Sequence, residues 1–137
     1  GRVPFMKENQ LTSRDMAKAC VNALEDKKGE DITILDISEI STLADYFIMV
    51  SGSNRNQVQA LCDNVEETLG RMGVERKQCE GYESGNWILL DYRDIVVHIF
   101  DKENKIMQKK DYNVGKIDNM INNYWGNIKN GSKTNIK

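Results

Sequence analysis

The chain has 137 residues, 39% hydrophobic and 29% charged, a size and mixture that fit one globular domain rather than a membrane or disordered chain. No apolar run approaches the roughly 20 residues a bilayer span requires, so no membrane partner is expected. The net charge of −2 is unevenly spread: residues 104–137 hold seven lysines and two acids, net +5, which leaves −7 on the rest. An acidic body is a poor electrostatic match for phosphate backbones, so nucleic acid is at most a secondary ligand met through the basic tail.

In chain order, residues 1–5 lack the apolar stretch of a secretory signal and read as a cloning remnant ahead of a natural start at Met6. Thr12 is placed as the N-cap of a first helix, with Asp15 three positions on as an acidic variant of the capping box. Ala17, Cys20, Val21 and Leu24 recur at helical spacing, and Gly29 supplies the stop. Asp31 to Ser38 alternates as a strand and Ser41 to Asp45 is a polar bridge. Tyr46 to Val50 is a continuous apolar run of strand length, as expected for a strand covered on both faces. Ser51-Gly52-Ser53-Asn54 then turns into a second helix, with Val58, Leu61, Cys62, Val65, Leu69 and Met72 on one stripe, ending at Gly73. A short strand near Glu75 to Cys79 and a loop from Gly81 to Asn86 lead into a hairpin, Trp87–Asp91 and Asp94–Phe100, around Tyr92-Arg93.

The order αββαβββ predicts an α/β (α+β) fold: a mixed five-stranded sheet flanked by helices, in one domain over residues 6–103. Residues 104–137 form a lysine- and asparagine-rich tail with a weak helical pattern at Ile117, Met120, Ile121 and Tyr124, equally consistent with disorder or a loosely attached helix. Cys20, Cys62 and Cys79 are odd in number and show no CxxC spacing for a metal cage or redox motif. They fit a reducing cytoplasm, with Cys20 and Cys62 as core residues, and no metal ligands are expected.

A two-residue loop at Tyr92-Arg93 sets Asp91 against Asp94 and Trp87 against His98. One hairpin face then carries Ile88, Leu90, Ile95, Val97 and Ile99, an aliphatic core set. The other carries Trp87, Leu89, Val96, His98 and Phe100, with Asp91 and Asp94 at the turn end. That mixture of a large aromatic, the single histidine and acids is the composition of a recognition surface. The same residues are equally compatible with a helix-covered face on which His98 satisfies a buried hydrogen bond.

Catalysis finds little support. One histidine without a GxSxG elbow makes no hydrolytic triad, and neither GxxxxGK[ST] nor GxGxxG is present. Ser51-Gly52-Ser53 has the form of the glycine-serine turn of nucleotidyltransferases, but the acids that follow, Asp63, Glu66 and Glu67, lie on a helix rather than on the next strand. A nucleotide-binding enzyme using this turn is the alternative function; no catalytic residue and no cofactor are otherwise assigned.

Ala44-Asp45-Tyr46-Phe47, Ser51-Gly52-Ser53 with Gln57-Val58, and Glu80-Gly81 leading into Trp87–Tyr92 and Asp94–Phe100 together resemble the Iojap family, the ribosomal silencing factors, over about Leu11 to Glu103. The resemblance implies a nucleotidyltransferase-like fold without the catalytic acids. It also implies binding to large-subunit ribosomal protein number fourteen, so that subunit joining is blocked and translation falls when nutrients are scarce. Carried onto matching positions, the partner-binding residues are Trp87, Leu89, Asp91, Tyr92, His98 and Phe100. An exposed aromatic face also suits self-association, which leaves a homodimer open. Arg93 stands where the family commonly has glycine, and after Glu103 the chain departs from the family's aromatic and leucine-tryptophan segments.

Overall fold

The computed structural model describes residues 11–39 and 41–102; the expectations for residues 1–5 and for the tail over 104–137 lie outside them. Helix α1 (Ser13–Asp26) opens with the expected capping box: the Asp15 amide donates to Thr12 Oγ1 at 3.0 Å and the Thr12 amide to Asp15 Oδ2 at 3.2 Å. Its buried stripe is Met16, Ala17, Cys20, Ala23 and Leu24. The stop differs from expectation. Lys28, at φ 62°, is the left-handed residue, and the Gly29 amide closes the turn on the Leu24 carbonyl at 2.9 Å. Gly29 is needed for space: a Cβ there would stand 2.6 Å from Val50 Cγ2.

Strand β1 (Glu30–Asp36) pairs antiparallel with β2 (Tyr46–Gly52), across an irregularity between Glu30 and Thr33. Every β2 residue after Tyr46 is buried, as its unbroken apolar run predicts. Asn54 then caps α2 (Arg55–Arg71), accepting from the Gln57 amide at 2.9 Å. The buried stripe of α2 is Val58, Leu61, Cys62, Val65 and Leu69, and Gly73 at φ 86° ends the helix with the Val74 amide on the Leu69 carbonyl. Strand β3 (Gln78–Glu80), a few residues later than read, precedes β4 (Trp87–Asp91) and β5 (Ile95–Asp101).

The five strands are ordered β1-β2-β5-β4-β3, with β2 and β5 parallel and the other neighbours antiparallel. The fold is therefore the expected α+β type with a mixed five-stranded sheet. Both helices pack on one face, against Ile48, Val50, Ile88, Leu90, Ile95, Val97 and Ile99. The second face carries a separate cluster in which Ile37, Leu43 and Ala44 of the β1–β2 connection cover Phe47, Met49, Leu89, Val96 and Phe100.

The hairpin register differs from the expected one. Trp87 pairs with Phe100, Leu89 with His98 and Asp91 with Val96, so Trp87 is not opposite His98 and Asp91 is not opposite Asp94. The two loop residues are Arg93 and Asp94, closed by the Tyr92 amide on the Ile95 carbonyl at 2.9 Å. Within the loop the Asp94 amide reaches back to the Tyr92 carbonyl at 2.9 Å, which bends the chain tightly around Arg93 at φ 76°. Asp91 Oδ1 accepts from the Arg93 amide at 2.8 Å and holds that turn. Because side chains repeat every two residues along a strand, this two-residue shift leaves each residue on the face first assigned to it.

Candidate functional site

The loop from Gly81 to Asn86 delivers Trp87 to the second face. Gly81, at φ 87°, lies against the Trp87 backbone, and a Cβ there would stand 2.0 Å from the Trp87 carbonyl oxygen. Only glycine permits this approach. From there the Trp87 indole crosses diagonally to β5, where Nε1–H donates to His98 Nε2 at 2.7 Å. The His98 ring meets Trp87 edge-on with centroids 5.1 Å apart, Phe100 edge-on at 5.7 Å and Phe47 tilted at 5.4 Å. Edge-to-face geometry of this kind adds about 0.5–1.5 kcal/mol per pair beyond area burial.

His98 is fully buried, and burial alone pushes its pKa from 6.5 down to about 3. The ring is therefore neutral at pH 7. Since Nε2 accepts the indole hydrogen, the ring proton belongs on Nδ1, a buried atom with no hydrogen-bond partner.

The six sequence-derived contact residues divide by the pleat. Trp87, Leu89, Asp91, His98 and Phe100 share the second face; Leu89, Asp91, His98 and Phe100 are no more than 1% exposed, and Trp87 is half-buried. In the isolated chain this face is thus a packed layer with Trp87 at its accessible rim. A covering helix is not seen among the described residues; the described cover is the β1–β2 connection. Tyr92 does not join the others. It sits one pleat on, in the helix-side core, where burial raises the pKa of its hydroxyl.

The Ser51-Gly52-Ser53 segment is closed on itself. Ser51 and Gly52 are the last residues of β2, and a Cβ on Gly52 would meet Val58 Cγ2 at 2.9 Å. The Ser53 amide and hydroxyl both donate to Gln57 Oε1, at 2.6 and 2.8 Å, while the Gln57 amide is taken by the Asn54 cap. Donors that would cradle phosphate are thus already engaged, which supports a structural role for this turn. Asp63, Glu66 and Glu67 lie on α2 and engage Tyr82, Arg76 and Arg71 respectively.

Sequence reasoning missed two features. Cys79 packs near Cys62, although the two are far apart in the chain and only the pairing of β3 with β4 brings them together. The role of Gly81 was also hidden, because the atom it makes room for belongs to Trp87.

An open mixed sheet with two helices on one face and an aromatic layer on the other defines a small α+β domain with solved counterparts. A crystal structure from Bacillus halodurans aligns at a TM-score of 0.65 and 35% identity, covering 76% of this chain and 93% of that one. A second, from Chromobacterium violaceum, aligns at 0.64 and 39%, covering 65% and 74%. The sequence model described as "Ribosomal silencing factor during starvation" matches residues 10–111. The chain belongs to this family of ribosomal silencing factors. Curated relatives named ribosomal silencing factor RsfS include those of Halalkalibacterium halodurans, 35% identical over 78% of this chain and 88% of the relative, and Bacillus subtilis, 34% over 78% and 87%.

Proposed function

We propose that this chain is a cytoplasmic translation repressor. It binds the large ribosomal subunit through ribosomal protein number fourteen and prevents the small subunit from joining, without catalysing a reaction. Membership of the silencing-factor family over residues 10–111 is the observation that carries the reading.

The proposed contact face is the second face of the β4–β5 hairpin. Trp87 is its accessible anchor, because an amphipathic aromatic at a half-buried rim is the residue type that dominates binding energy at protein interfaces. Leu89, His98 and Phe100 act from behind: His98 fixes the indole through Nε2, and Phe100 packs edge-on against the His98 ring. Asp91 holds the hairpin tip through the Arg93 amide, and Tyr92 supports the same hairpin from the helix side.

The test is calorimetric titration of purified ribosomal protein number fourteen with the wild-type chain and with Trp87→Ala. An anchor residue contributes about 2 kcal/mol or more, so the variant should bind roughly 30-fold more weakly. A variant that keeps its circular dichroism spectrum and binds with unchanged Kd would remove Trp87 from the interface. Sedimentation of the free protein would register a competing homodimer.

A further inference from the structure

We propose that Cys62, Glu66 and Cys79 form a binding site for a thiophilic divalent cation, with Zn²⁺ as the best match. Cys62 and Glu66 are four residues apart on α2 and so project from the same side of the helix. Cys79 is the middle residue of β3, paired with Leu90 of β4. One ligand atom from each of the three residues lies within 4.8 Å of the others, the one such group of three among the described residues. Tetrahedral zinc, with bonds of about 2.3 Å to sulfur and 2.0–2.2 Å to oxygen, sets its ligand atoms roughly 3.5–3.8 Å apart. Closing the triangle by about 1 Å is within the reach of side-chain rotation.

The surrounding charge also fits. Two thiolates and a carboxylate total −3, which Zn²⁺ and the neighbouring Arg76 guanidinium together neutralise. Arg76 already bonds Glu66 Oε2, the outer-shell contact that orients a metal-ligating carboxylate. Cysteine binds metal as the thiolate, so both thiol protons would leave to solvent on binding.

Cys62 is fully buried whereas Glu66 and Cys79 are half-buried, so the site opens on one side. Three protein ligands with an open fourth position, filled by water, is the expected coordination. The bound ion would fasten β3 to α2, beside the C-terminal end of β4. This inference stands apart from the ribosomal reading, since none of its ligands belongs to the proposed contact face.

The experiment uses the full, reduced protein. Zn²⁺ affinity is measured by competition with a chromophoric chelator, Co²⁺ is added in parallel as a spectroscopic probe, and circular dichroism checks each variant. The expected result is one ion per chain, a thiolate-to-cobalt charge-transfer band, loss of both in Cys79→Ser, and at least tenfold weaker binding in Glu66→Gln. His98→Gln, which removes the single histidine, should bind as wild type. No binding, a cobalt spectrum without the thiolate band, or affinity unaltered in both Cys79→Ser and Glu66→Gln would overturn the assignment. The wild-type cobalt spectrum decides the case even if Cys79→Ser fails to fold.

Discussion

Acid should destabilise this protein between pH 7 and pH 5 through one residue, His98. His98 is the single histidine, and its pKa falls from 6.5 to about 3 because burial disfavours the imidazolium. Between those values the unfolded chain binds a proton that the folded chain refuses, so stability is complete above about pH 6.5 and is lost as pH falls. Integrating the two titrations from pH 7 to pH 5 gives a loss of about 2 kcal/mol, approaching about 1.4 kcal/mol per pH unit at the lower end. Urea unfolding followed by circular dichroism at half-unit pH steps measures it directly. His98→Gln retains an acceptor for the Trp87 indole but does not titrate, so its stability should be nearly flat over the same interval. A wild-type profile equally flat from pH 7 to 5, or the same slope in His98→Gln, would refute the buried neutral imidazole.

Trp87→Phe leaves both His98 nitrogens buried without partners and should cost about 1–3 kcal/mol of unfolding free energy; combining it with His98→Leu should cost less than the sum of the two single changes, as a double-mutant cycle would show. Arg93→Gly, at φ 76°, should stabilise by about 0.5–1 kcal/mol, the relief of a left-handed backbone less the extra freedom of glycine when unfolded. An unchanged or lower urea midpoint would contradict it. Gly81→Ala drives a Cβ toward the Trp87 carbonyl and should cost about 2 kcal/mol or more, with a changed indole environment in tryptophan fluorescence; a wild-type melting temperature would count against the close approach.

The elements with a strong local signature were legible in the sequence. The Thr12–Asp15 capping box and the stripe from Val58 to Leu69 carry their own periodicity and caps, and both stand where expected. The unbroken run from Tyr46 marked an interior strand for the same reason. What a single sequence could not fix was the turn chemistry around Arg93. No glycine or asparagine marks the left-handed position, so the loop was set one residue early and the register moved by two. The faces survived because the pleat repeats every two residues. Composition alone could not decide whether Leu89, His98 and Phe100 meet solvent or core; their burial depends on Ile37, Leu43 and Ala44 folding over them from another part of the chain. The Trp87–His98 contact was expected for the wrong geometric reason: they are diagonal rather than directly opposed. Cys62 and Cys79 escaped notice because their proximity follows from strand pairing, not from spacing.

The most direct test of the proposed function is order-of-addition subunit joining. Purified large subunits are incubated with the protein, small subunits are added, and the products are separated on a density gradient. The account predicts protein co-migrating stoichiometrically with large subunits and a dose-dependent loss of joined ribosomes, with Trp87→Ala needing a much higher dose. Full joining at saturating concentrations of the folded protein, or protein that stays at the top of the gradient, would contradict it.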